Sequence, residues 1–200
     1  LVGSEMCIRD SYSTHPNEFN LDSIVNISSS ELSKLSSLKK PNKHIAVFHY
    51  KDQVLQKQNF YLVFDRINDP GNLGTIIRTC HWFGVDQIIC SVDSVDCFNS
   101  KVVQSSMGSL SKVNVVYTDL IKFMKATNKK IIGTSLNSKS ISDYSFQNFD
   151  GIIVFGSESN GISREIKKEI NDYISIPKTV SNSSAESLNL SISVAIFLSK

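Results

Sequence analysis

The run Phe60-Tyr61-Leu62-Val63-Phe64, followed closely by Asp69-Pro70-Gly71-Asn72-Leu73-Gly74-Thr75-Ile76-Ile77-Arg78-Thr79-Cys80, decides the fold. Five consecutive apolar residues read as a strand buried on both faces. Pro70 and Gly71 force a turn, and Asn72 is placed to cap a helix over 73–83. Asn72 and Arg78 stand six residues apart, one at the turn and one inside the helix. An arginine buried in the first helix of an α/β unit needs a carboxylate or a ligand to meet its charge. The pattern alone leaves both readings open: a structural arginine paired with an acid, or a functional one.

Two later segments repeat the theme. Ile152-Ile153-Val154-Phe155-Gly156-Ser157-Glu158-Ser159-Asn160-Gly161-Ile162-Ser163 is a second strand running into a Gly-containing turn. Ile174-Ser175-Ile176-Pro177 is a short strand stopped by proline, and a polar loop leads from it to Glu186-Ser187-Leu188-Asn189-Leu190-Ser191-Ile192-Ser193-Val194-Ala195. From Phe60 onward the pattern predicts strands at 60–65, 86–90, 113–117, 130–134, 151–155 and 173–176. It predicts helices near 73–83, 99–107, 118–127, 163–170 and 186–199, with Asn99, Thr118 and Ser163 as N-caps. Such alternation means a parallel sheet with helices on both faces. Neither G-x-G-x-x-G after the first strand nor a Gly-Lys-Ser/Thr phosphate loop is present, which argues against a nucleotide-binding oxidoreductase or a P-loop enzyme. One conflict stands: Leu188, Leu190, Ile192 and Val194 alternate with polar residues as in a strand, whereas Val194-Ala195-Ile196-Phe197-Leu198 drops the alternation.

The net charge of +2 over 200 residues excludes a chain that is basic throughout, and no apolar run approaches the roughly 20 residues that span a membrane. Positive charge is nevertheless local. Lys34, Lys39, Lys40, Lys43, Lys51 and Lys57 face only Glu31 and Asp52 between residues 31 and 58, which suits either phosphate contacts or a solvated surface. Cys7, Cys80, Cys90 and Cys97 have no zinc-ligand spacing. Cys80 and Cys90 read as buried thiols in a reducing compartment, and His81 beside Trp82 as a packing residue. Residues 1–11 lack periodicity and read as a non-native segment, and 12–27 as polar and irregular. Ser28-Ser29-Ser30-Glu31 is a capping box before Leu32, Leu35 and Leu38. Pro41-Asn42 ends that helix, and Ile45-Ala46-Val47-Phe48 reads as a strand.

In this order, the three motifs resemble those of the SpoU-type RNA ribose methyltransferases of the knotted SPOUT superfamily, over about residues 60–200. The resemblance implies an α/β fold with a parallel sheet flanked by helices and a C-terminal trefoil knot, a feature nearly absent from other proteins. It implies S-adenosyl-L-methionine (AdoMet) as methyl donor, a ribose 2′-hydroxyl of rRNA or tRNA as acceptor, a homodimer, a cytoplasmic location, and neither metal nor membrane. By the same likeness Asn72, Arg78, Glu158, Ser187 and Asn189 form the catalytic set. Thr134, Ser135, Gly156, Ile176, Leu188 and Asn189 bind the cofactor, Gly156 by letting backbone approach the ligand. Arg78 matches the residue assigned to the ribose proton. A charged guanidinium has no acceptor, so a grip on the neighbouring phosphate is the alternative role. The loop Lys178-Thr179-Val180-Ser181-Asn182-Ser183-Ser184-Ala185 is longer than the family's and lacks its glycine. The implied organisation is a remnant of an upstream RNA-binding domain at 12–58 and a methyltransferase domain at 59–200, cut within its last helix. A non-catalytic RNA-binding relative is the rival reading, and the presence of all five catalytic-set residues speaks against it.

Overall fold

A computed structural model describes residues 8–18, 24–36, 38–49, 53–144, 149–179 and 186–200. The chain divides into two units, Leu1–Asp52 and Gln53–Lys200.

In the first unit, strands β1 (Ile8–Ser13), β2 (Val25–Asn26) and β3 (His44–Phe48) form a sheet of order β2-β1-β3. β1 runs antiparallel to β3 and parallel to β2. Residues 8–11, excluded by the sequence reading, thus take part in a sheet, and 12–18 and 24–27 are less irregular than expected. Helix α1 (Ser29–Leu35) begins at the capping box: the Ser28 side chain accepts from Glu31 N, and Glu31 accepts from Ser28 N at 2.8 Å. It ends at Ser36, well before Pro41. Leu32 is the one fully buried apolar side chain among the described residues of this unit. Lys34, Lys39 and Lys40 are exposed, and Lys43 pairs with Glu18 at 2.7 Å. Cys7 and Lys51 lie outside the described residues.

The second unit carries a six-stranded, wholly parallel sheet built from β4 (Phe60–Phe64), β5 (Gln87–Ser91), β6 (Asn114–Thr118), β7 (Lys130–Ser140), β8 (Gly151–Phe155) and β9 (Asp172–Ser175). Its order is β6-β5-β4-β8-β7-β9. The helices are α2 (Pro70–Trp82), α3 (Ser100–Ser106), α4 (Leu120–Lys125), α5 (Arg164–Lys167) and α6 (Leu190–Leu198). Side chains alternate across β4. Leu62 and Phe64 join a core with Leu73, Ile76 and Ile77 of α2, Val102 of α3, and Val194 and Phe197 of α6. Tyr61 and Val63 face the other way, onto Leu120 and Met124 of α4 and Ile166 of α5. Burial of both faces is why β4 and β8 read as unbroken apolar runs.

Local chemistry moved several boundaries. Asp69, not Asn72, caps α2, accepting from Asn72 N at 2.7 Å, and Pro70 takes the first helical position, where its missing N–H costs nothing. Asp119, not Thr118, caps α4. Asn99 caps α3 as expected. Ser163 holds the N-cap position of α5 without a side-chain bond, and that helix is only four residues long. β7 extends six residues past the predicted end and meets β9 in two registers, broken between Thr134 and Lys139. Residues 186–189 precede α6, whose cap is Asn189.

Sequential strands run outward from β4 through β5 to β6, and the later strands lie on the opposite side. The strand order therefore reverses between β4 and β8. In open α/β sheets the crevice beyond the carboxyl ends at such a reversal is the ligand-binding position.

Candidate active site

The loops leaving β7, β8 and β9, with the segment entering α6, surround a cavity of about 1190 Å³. Five of the six expected cofactor residues line it: Thr134, Ser135, Gly156, Ile176 and Leu188. Asn189 does not. Apolar walls come from Phe155, Ile162, Leu190 and Phe197, and polar groups from Ser157, Glu158 and Ser187. Apolar walls with a few placed polar groups suit a nucleoside-sized organic ligand. Val180–Ala185 of the atypical loop lie outside the described residues. Thr134 Oγ1 is already committed to the Val154 carbonyl at 3.1 Å, so this side chain joins β7 to β8.

Gly156 has a different reason than expected. A Cβ there would stand 2.1 Å from the Gly161 carbonyl carbon and 2.2 Å from Ile162 N. The space it leaves is filled by protein backbone. Ser157 and Gly161 exchange backbone hydrogen bonds of 3.2 and 2.9 Å, and Gly161 closes the turn at φ +62°. This closed turn presents Glu158.

Glu158 is where the motifs meet. Its Oε1 accepts from Asn72 Nδ2 at 2.5 Å, and Asn72 Oδ1 accepts from Asn189 Nδ2 at 2.9 Å. A carboxylate can only accept, which sets the orientation of the Asn72 amide, which in turn sets that of Asn189. Asn189 Oδ1 is left to cap α6, accepting from Ser191 N at 2.9 Å and Ser191 Oγ at 2.6 Å. Capping of α6 and contact with Asn72 are made by opposite ends of one amide. Glu158 lines the cavity and Asn72 does not, so the carboxylate forms the wall between the cavity and the β4–α2 corner.

Arg78 and Ser187 do not join this network. Arg78 is exposed on α2, not buried as the helix position suggested, and makes no hydrogen bond or ion pair among the described residues. The paired structural arginine is therefore not what the fold contains. Ser187 is exposed at the cavity margin. His81 is also exposed, with Nδ1 3.1 Å from Ser109 Oγ, rather than packed in the core.

Sequence reasoning passed over Asp65, counted only as a strand residue. Its side chain is 4% exposed, and its Oδ2 accepts from Ser163 N at 2.6 Å. This bond ties the exit of β4 to the far end of the Glu158 turn. The signal was available: an acid directly after a five-residue apolar run must find a partner.

The sequence profile of the SpoU rRNA methylase family matches residues 59–199, most of the chain. The chain belongs to that family. A curated relative, 23S rRNA (guanosine(2553)-2′-O)-methyltransferase RlmP of Bacillus subtilis, is 29% identical over 86% of this chain and 69% of its own length. A solved Porphyromonas gingivalis structure assigned to the TrmH family of RNA methyltransferases is 31% identical, with a TM-score of 0.82 over 98% of this chain and 82% of that one. The SpoU methyltransferase AviRb of Streptomyces viridochromogenes, solved with AdoMet, shares the fold at 22% identity, a TM-score of 0.80 and coverage of 98% and 82%. The chain spans 69%, 50% and 54% of the length of three curated relatives it matches. Among the described residues no helix is long and apolar enough to cross a membrane, and no cluster of three or more His, Cys, Asp or Glu could hold a metal.

Proposed function

We propose that residues 59–200 are the catalytic domain of an AdoMet-dependent methyltransferase acting on a ribose 2′-hydroxyl of rRNA or tRNA. The convergence of Asn72, Glu158 and Asn189 supports this most directly. Three residues separated by up to 117 positions meet by side-chain hydrogen bonds at the edge of one cavity. A module that merely binds RNA has no need of such a set.

The cavity's mixed lining fits AdoMet, with Thr134, Ser135, Gly156, Ile176 and Leu188 as the residues that hold it. When bound, AdoMet supplies an electrophilic sulfonium methyl group for in-line transfer to the ribose oxygen. The chain must align that oxygen and ease its deprotonation. In our reading the Glu158 wall lets the acceptor meet the methyl group from the β4–α2 side. Asn72 and Asn189 fix the carboxylate there, and Ser187 flanks the hydroxyl. Arg78 grips the phosphate next to the target ribose, and that phosphate or a water takes the proton, since the guanidinium stays charged. The C-terminal segment forms the family's trefoil knot.

The protein works as a homodimer in the cytoplasm. Trp82 and Ile192 are 85% and 52% exposed on α2 and α6, helices that pack against each other, and a second copy covers this apolar face. Titration calorimetry with AdoMet, followed by methyl transfer to unmodified rRNA and tRNA transcripts and mapping of 2′-O-methyl sites, tests the activity. Light scattering tests the dimer. AdoMet binding without transfer to any RNA would overturn the reading.

A further inference from the structure

Two residues beyond β4, the backbone of Arg66 takes φ +58°. Among the described residues only Met107 shares this left-handed conformation without being glycine. Strain of this kind collects at functional sites. The segment is held on both sides: Arg66 N donates to Ser91 Oγ at 2.8 Å, and Val95 N donates to the Ile67 carbonyl at 2.8 Å. The strained residue therefore sits where the chain leaving β4 is laced to the end of β5 and the loop after it.

The side chain adds a second observation. Arg66 Nε lies 3.3 Å from Asp65 Oδ1 but out of line, so this sealed donor makes no hydrogen bond among the described residues. Asp65 cannot turn to meet it, because Oδ2 is engaged by Ser163 N at 2.6 Å. The Arg66 side chain as a whole is 35% exposed, and with Nε sealed that exposure falls on the rest of it. A fixed carboxylate thus holds a guanidinium by one side and leaves its donors incompletely used. Arg66 stands outside the cavity lining, three residues before the cap of α2, the helix that carries Asn72 and Arg78.

We infer that Arg66 is a second arginine that grips an RNA phosphate, on the acceptor side of the site and oriented by Asp65. The inference rests on the RNA-methylation reading above. A planar guanidinium matches a phosphate by paired N–H···O bonds, which a buried carboxylate behind it pre-orients.

The test compares wild type with Arg66→Gln, which keeps length and polarity but loses charge. Should Gln strain the turn, Arg66→Gly suits φ > 0 and replaces it. Binding to an unmodified 23S rRNA transcript is measured from low to moderate salt, with AdoMet affinity and melting temperature in parallel. Loss of one phosphate contact flattens the slope of log K against log salt by about 0.7–0.9. RNA affinity should fall about 10-fold to 100-fold at low salt, with AdoMet affinity and melting temperature held. An unchanged slope overturns the inference. So does joint loss of melting temperature and AdoMet affinity in both variants, which would make Arg66 a prop for Asp65. If the wild-type protein binds this RNA without methylating any RNA, the functional reading fails, while the salt slope still decides Arg66.

Discussion

Replacing Asn72 with aspartate changes one atom and inverts one contact. Asn72 Nδ2 donates to Glu158 Oε1 at 2.5 Å, and Asn72 Oδ1 accepts from Asn189 Nδ2 at 2.9 Å. In Asn72→Asp the second contact survives and the first becomes oxygen against oxygen. Losing a hydrogen bond to a charged group costs about 1.5–3 kcal/mol. Two carboxylates roughly 3 Å apart repel by about 1.4 kcal/mol at full water screening and by about 5.5 kcal/mol at an effective dielectric of about 20. Glu158 is exposed, so the screened value governs. The sum, about 3–4 kcal/mol, slows methyl transfer by ~10²–10³ if it falls on the transition state. The like charge raises the affinity of the pair for a proton, and protonation restores a donor between the oxygens. The variant's deficit should therefore shrink as pH falls and be greatest above neutrality. Single-turnover transfer of labelled methyl to RNA across that range measures it, with AdoMet affinity as control. Asn72→Asp/Glu158→Gln restores the bond with donor and acceptor exchanged and should recover about tenfold or more of the loss. Activity of the single variant within about threefold of wild type at neutral pH would refute the coupling, since that is below the smallest repulsion computed. A double variant no better than the single would refute the positioning role of the network.

Arg78→Ala should lose methylation by ~10²–10³, the usual cost of a transition-state contact, with melting temperature and AdoMet affinity intact, because Arg78 is exposed and supports nothing among the described residues. Arg78→Lys should not rescue it, lacking the planar fork, and the same three measurements decide both variants. Gly156→Ala drives a Cβ to 2.1 Å from the Gly161 carbonyl carbon, so it should open the Glu158 turn and abolish AdoMet binding in a folded protein, as read by calorimetry and circular dichroism. Gly74→Ala places a Cβ 1.9 Å from Ser105 Oγ and 2.7 Å from the Val102 carbonyl, prying α2 from α3. Denaturant unfolding should show a loss of about 1–3 kcal/mol. Burial pushes the Cys80 thiol up to about 12 and the Cys97 thiol up to about 11, so both stay protonated near pH 8. Alkylation followed by peptide mapping should find them unreactive until the protein is unfolded.

The strand–turn–helix rhythm was legible because the central strands β4, β5 and β8 are buried along almost their whole length and so read as apolar runs. The span of β8, 151–155, matches its prediction. The start of α2 was misread because two side chains compete to cap it, and the carboxylate of Asp69 wins over the amide of Asn72. That outcome frees Asn72 for Glu158. The length of β7 was hidden because Ser135–Ser140 carry no apolar pattern, and the strand reaches its end through pairing of Lys139 and Ser140 with β9. Residues 188–194 looked like a strand because α6 buries Leu190, Ser191, Val194 and Phe197 while Leu188 lies before the helix, so no clean 3.6-residue stripe survives. The candidate site residues were named by resemblance. Their wiring was not: nothing in Gly156-Ser157-Glu158 says that the glycine serves the turn, nor that the acid faces an amide and not Arg78. A left-handed backbone at a residue other than glycine leaves no sequence signal, and Arg66 was invisible for that reason.

The placement of Glu158 explains why the site draws on three separated motifs. A methyl donor and a ribose must approach along one line while their surroundings stay apart, the first in a mixed apolar cavity and the second beside a phosphate chain that needs cations. The sheet supplies that separation at the β4–β8 reversal. On the β8 side the turn closed by Gly156 and Gly161 shapes the cavity. On the β4 side the chain leaves through Asp65 and Arg66 into α2, which carries Asn72 and Arg78. A single carboxylate on the boundary is stable only if each side holds it. Asn72 does so from α2 and, through Asn72, Asn189 does so from α6, while Asp65 anchors the turn from below through Ser163. Breaking a link removes one of the contacts that fix the Glu158 carboxylate, while the Ser157–Gly161 backbone bonds keep the turn itself closed. On the function proposed above, that displaces the carboxylate from the line of methyl transfer even where the cavity remains.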